Sequence, residues 1–191
     1  MNRSERIKKL TIMAMLVALS IVLVYLIHFP IFPAASFLEY DPADIPILVG
    51  TFAYGPLAGV LLTVVASLIQ GFTVSAQSGV MGIAMHICAT TILVLVAGTI
   101  YRVRRTRGGA VLALICGTLA MALGMLVFNH FVTPYFVTAD VSDAAAVAAS
   151  RAYVDTLLLP VILPFNLIKA GVNSLITFAV YKVVSRYIVH G

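Results

Sequence analysis

Three polar side chains interrupt a long apolar run near the end of the chain, in LPFNLIKAGVNS (residues 163–174). Asn166, Lys169 and Asn173 stand at i, i+3 and i+7, so on a helix they share one face. An ionisable side chain inside a membrane helix is costly, and it normally faces a cavity or a partner. Two amides and an ammonium offer hydrogen bonds to a planar or amphipathic molecule. Other polar residues in apolar surroundings are Gln70, His86, Asn129 and His130.

Catalytic chemistry finds little support. There is no G-x-x-x-x-G-K-[ST] loop for phosphates, no H-E-x-x-H and no G-x-S-x-G. His86 taken as a base has no nucleophile in a suitable context, and taken alone it reads more readily as a packing histidine. Cys88 and Cys116 show neither a CxxC nor a Cys/His metal spacing, so they read as small buried apolar residues. The expectation is a non-enzyme without metal or cofactor.

The elements that must position the polar residues follow from composition. Apolar residues make up 62% of 191 and charged residues 10%, with a mean hydropathy of +1.09. A soluble domain carries about 25% charged residues, so the chain reads as an integral membrane protein. The first apolar stretch, residues 10–27, is long enough to span and lacks the exit of a cleavable signal peptide. Proline, glycine and hydropathy patterns predict helices over about 8–28, 44–54, 56–72, 78–101, 109–131 and 159–187. These make one all-α domain over 1–191, a six-transmembrane-helix bundle.

Residues 44–54 are short for a span, and residues 46–72 could be drawn instead as one kinked helix. Charge decides between the two. Arg3, Arg6, Lys8 and Lys9, then Arg102, Arg104, Arg105 and Arg107, then Lys182 and Arg186 form three basic clusters. Two short helices turning at Gly55-Pro56 keep all three on the cytoplasmic side, with both termini inside. Juxtamembrane arginines of this kind meet the bilayer surface and make a nucleic-acid partner improbable. Asp44 suits the N-cap of the second helix, with Pro46 in its first turn. Residues 29–43, rich in proline and aromatics, read as a structured outer loop. The alanine-rich stretch around Asp143 and Arg151 reads as a short surface helix.

In this topology the stronger polar groups, Asn173 apart, collect in the outer half. Helical side chains lean toward their N-terminus, so Lys169 should reach outward, toward Asn129 and His86. The expectation is a pocket open to the outside. The alternative is that Lys169 snorkels and the asparagines glue helices together; the depth of Lys169 favours the pocket. With no inverted repeat and no inner proton relay, the pattern suits a binding subunit driven by a motor elsewhere.

The chain resembles the substrate-binding S components of energy-coupling factor vitamin transporters, most closely the riboflavin-specific branch. The resemblance spans nearly the whole chain and rests on FLEYDPADIPILVGTFAYGPLAGV (residues 37–60), on Asn129, on PFNLIK (residues 164–169) and on Tyr181-Lys182. It implies capture of riboflavin from outside, and partnership with a transmembrane coupling protein and two cytoplasmic ATPases. It also implies that the whole component tips within the membrane during transport. Asn129, Asn166 and Lys169 match ligand-contacting positions, with His86 beside them. Phe37, Leu38, Glu39 and Tyr40 belong to the loop that closes over the ligand. Ala14 and Ala18 match the alanine motif that docks on the coupling protein. The chain departs from the branch at Ala66-Ser67, where many members carry lysine-asparagine. It departs again at residues 81–85, where they carry glycine-glutamate-leucine-x-asparagine. FMN, pantothenate or a related compound is the alternative cargo, and a stand-alone facilitator the alternative class.

Overall fold

In a computed structural model, the chain is described over residues 3–35 and 38–190, apart from the side chains of residues 34, 77 and 184–190. Phe37 therefore lies outside the described residues, as does the side chain of Arg186. The α-helices are α1 (Arg3–Leu26), α2 (Asp44–Tyr54), α3 (Pro56–Phe72), α4 (Gly79–Val103), α5 (Arg107–Val137), α6 (Ala144–Leu157) and α7 (Leu163–His190). A two-residue antiparallel ladder, β1 (Phe29–Pro30) and β2 (Glu39–Tyr40), pairs Phe29 with Tyr40 and Pro30 with Glu39. It is the one departure from an all-α architecture among the described residues.

Helix α2 is apolar on all sides and lies in the middle, against α1, α3, α4 and α7. Ile47, Leu48, Val49 and Phe52 are buried there, with Leu16 and Val17 of α1, Leu93 and Val94 of α4, and Met121 of α5. Glycines let the helices close on one another. A Cβ at Gly98 of α4 would stand 3.0 Å from Pro56 Cα, and one at Gly59 would strike the Thr51 side chain. Outward-facing Leu19, Leu61, Ile115, Leu123 and Leu175 stay exposed. An apolar belt of this kind suits lipid.

Several expected boundaries shift. Helix α1 begins at Arg3, so Arg6, Lys8 and Lys9 ride on its first turns and do not precede it. Helix α5 continues to Val137 with Pro134 inside it. The α7 run does not start afresh near residue 159. It continues from α6 through a π-helical turn, Leu158–Ile162, which contains Pro160 and in which the Leu163 N–H donates to Leu158 O. Proline cannot donate to the ladder and crowds the preceding turn, and a widened turn accommodates that.

Asp44 does not cap α2. Ala43 holds the N-cap position without any side-chain bond, and the Asp44 carboxylate points into the bundle. Among the described residues, four helical runs are long and apolar enough to cross a membrane: α1, α4, α5 and the run Ala144–Val183. Helices α2 and α3 are shorter, 11 and 17 residues.

Candidate ligand-binding site

One cavity of about 370 Å³ opens at the end of the bundle away from the basic clusters. Its walls come from the loop before α2, the C-terminal turns of α3, the N-terminal half of α4, the C-terminal half of α5 and the start of α7. Ile83, Met85, Met121, Met125 and Phe165 supply apolar surface, while Asn129, Asn166, Lys169, His86, Ser67 and Gln70 supply polar groups. The size falls in the ~300–1,000 Å³ range of small-molecule sites.

The π turn leads directly into the polar face of α7. Asn166, Lys169 and Asn173 are all buried. Asn166 Nδ2 donates to Ile162 O at 2.8 Å, which fixes its amide against the turn. Lys169 Nζ takes a carboxylate partner that the sequence reading did not name. It donates to Asp41 Oδ2 at 2.6 Å, an ion pair 9% and 14% exposed. Asn173 sits one turn deeper and holds the same loop, donating to Asp41 O at 3.0 Å and Asp44 Oδ2 at 3.1 Å. Tyr40 Oη donates to Asn173 Oδ1 at 3.1 Å.

The segment Leu38–Ala43 is thus non-helical backbone packed inside the protein, and several of its polar groups have partners. Ser20 Oγ donates to Ala43 O, Asn173 to Asp41 O, and the Ala43 N–H to Asp41 Oδ1. Backbone of this kind is tolerated at membrane depth only when it is enclosed and bonded.

His86 of α4 joins the wall through Ser67 of α3, with Nδ1 and Ser67 Oγ 2.7 Å apart. Its Nε2 lies 3.9 Å from Asp44 Oδ1 and is buried without a hydrogen-bond partner. Thr90 Oγ1 donates to Asp44 Oδ1 at 2.7 Å. Asn129 donates to Met125 O and accepts from Thr133, which fixes its orientation on α5. Its neighbour His130 turns away and meets Asp155 of α6 at 2.6 Å.

Leu38, Glu39, His86, Asn129, Asn166 and Lys169 therefore line a single cavity. Tyr40 stands behind its wall, and Ala14 and Ala18 lie on an exposed face of α1, away from it. Asp41 and Asp44 are the residues that sequence reasoning missed as site components. The signal for them was a lysine buried in α7 that needed a counter-charge, and two aspartates within FLEYDPAD.

A family described as ECF transporter, substrate-specific component, matches residues 8–181. The riboflavin transporter FmnP of Bacillus subtilis is 28% identical over 173 residues, covering 90% of this chain and 88% of that one. The riboflavin transporter RibU of Staphylococcus aureus is 28% identical over 186 residues, covering 95% and 92%. A solved structure described as the S component of a bacterial ECF transporter superposes with a TM-score of 0.76 at 25% identity. That superposition covers 96% of this chain and 98% of the other. These relatives are named as transporters, not enzymes, and the long apolar helices fit an integral, multi-pass membrane protein. The chain belongs to the substrate-specific components of ECF transporters.

Proposed function

We propose that the protein binds riboflavin from the outer face of the cell membrane and delivers it through an ECF module. The observation that carries this reading is the cavity of about 370 Å³ with Asn129, Asn166 and Lys169 on its wall. A flat ring system would lie against Met85, Met121, Met125 and Phe165, while the amides and hydroxyls meet its carbonyl edge or ribityl chain. Apolar burial at roughly 25 cal/mol per Å² supports tight binding of such a ring.

Charge favours a neutral cargo. Glu39 and Asp41 line the cavity against one cation, Lys169, which already has a carboxylate partner. A phosphate or carboxylate ligand would have to displace that partner, so FMN and pantothenate fit less well than riboflavin.

The orientation belongs to the same proposal: six crossings, both termini inside, basic clusters at the inner face. Helix α2 alone is about 16 Å long, short of the ~30 Å hydrocarbon core. The buried Leu38–Ala43 segment covers the remaining depth. Ala14 and Ala18, exposed on α1, would face the coupling protein, with two ATPases beneath it.

Protein purified in detergent from riboflavin-containing medium should carry a flavin absorption spectrum that survives washing. Asn166→Ala and Lys169→Ala should each weaken quenching of riboflavin fluorescence by tenfold or more, at ~1.4 kcal/mol per lost bond to a charged or buried group. A colourless protein that leaves riboflavin fluorescence unquenched would remove riboflavin as the cargo. Uptake that persists in cells lacking the ATPases would point to a facilitator.

A further inference from the structure

A second hollow lies at the opposite end of the molecule, between the start of α1, the α2–α3 turn and the end of α4. It has a volume of about 640 Å³, and Arg6, Lys9, Arg102 and Arg105 line it with no carboxylate among the lining residues. Lys9 Nζ lies 5.2 Å from the ring centroid of Tyr54, which places the ammonium beside the hollow and not out in solvent. Gly55 at the turn has φ 94°, and a Cβ there would meet nothing within 4 Å, so the backbone borders open space. Among the apolar lining residues Met13, Pro56 and Ala58 are buried, while Leu10, Leu57 and Leu61 face outward, 63%, 78% and 52% exposed.

Converging cations and exposed leucines along one side are complementary to an amphiphile with an anionic head. We infer that this hollow binds the headgroup of an anionic phospholipid, with the acyl chains running along Leu10, Leu57 and Leu61. Four cations around one hollow repel one another, and a phosphodiester relieves that repulsion while accepting hydrogen bonds from the arginine forks. A basic pocket between helices at the membrane surface is suited to such headgroups. A zwitterionic lipid would bring its own ammonium into the same field and gain less. The inference depends on the proposed orientation only for the leaflet, since the hollow lies at the helix ends in either orientation.

The test uses the full chain in detergent and native mass spectrometry with dioleoyl phosphatidylglycerol or dioleoyl phosphatidylcholine. Phosphatidylglycerol should bind at least about tenfold more tightly. The double substitution Arg102→Gln/Arg105→Gln should reduce it to the level of phosphatidylcholine. Arg6→Gln/Lys9→Gln, on the other wall, should do the same. A monodisperse elution profile establishes that the variants fold, independently of whether the protein binds riboflavin. Where riboflavin binds, its affinity should be unchanged in both variants. Equal binding of the two lipids by the unsubstituted protein overturns the inference. So does unchanged phosphatidylglycerol binding by both variants, or full displacement of the lipid by millimolar inorganic phosphate, which would mark a free-anion site.

Discussion

Asp41 and Lys169 tie the loop before α2 to α7 across 128 positions of sequence. Removing one member of a buried pair strands the other charge, at a cost of about 3–5 kcal/mol. Asp41→Ala should therefore lower the thermal stability of the detergent-solubilised protein by several degrees or more, and Asp41→Ala/Lys169→Met should recover much of the loss. The i, i+3 spacing of Asn166 and Lys169 made their common face legible in the sequence, and both line the cavity. The partner of Lys169 was not legible, because nothing local distinguishes Asp41 from an ordinary loop aspartate. Asp44 misled for a related reason. Its position before Pro46 suits a cap, but Thr90 and Asn173 offer a buried carboxylate better-enclosed bonds.

At the level of elements, punctuation by glycine and proline was informative where the chain reverses. Gly55, with its positive φ, separates α2 from α3. It misled where tertiary packing overrides a breaker, at Pro134 inside α5 and Pro160 inside the π turn. Neither proline ends its helix, because packing against neighbouring elements holds the run together. The basic end is pinned by close contact: Phe52 stacks on Tyr101 at 4.2 Å and meets Tyr181 edge-on at 5.5 Å, with Gly98 against Pro56 nearby. Gly98→Val forces α4 away from the α2–α3 turn and should destabilise the protein by about 1–3 kcal/mol. Thermal unfolding in detergent measures this. Riboflavin quenching by the fraction still folded should be unchanged, since the cavity is at the other end of the bundle.

For the molecule as a whole, basic residues gather at one end and the cavity at the other. Composition alone made the membrane environment legible. The number of crossings was not, because α2 and α3 are shorter than a span and the buried segment Leu38–Ala43 has no hydropathy signature of one. The proposed orientation predicts a labelling pattern in a background with Cys88 and Cys116 replaced by alanine. Ser142→Cys, in the exposed loop before α6, should react with a membrane-impermeant maleimide on intact cells. Thr106→Cys, between α4 and α5, should react only after lysis.

In that orientation the basic end also acts as an axle. Carrying one elementary charge across a membrane potential costs about 2.3 kcal/mol per 100 mV. Arg6, Lys9, Arg102 and Arg105 therefore anchor their end to the inner surface, and any motion that brings the cavity inward must swing the outer helix ends around it. The same charges that set the topology at insertion would then set the centre of rotation during transport.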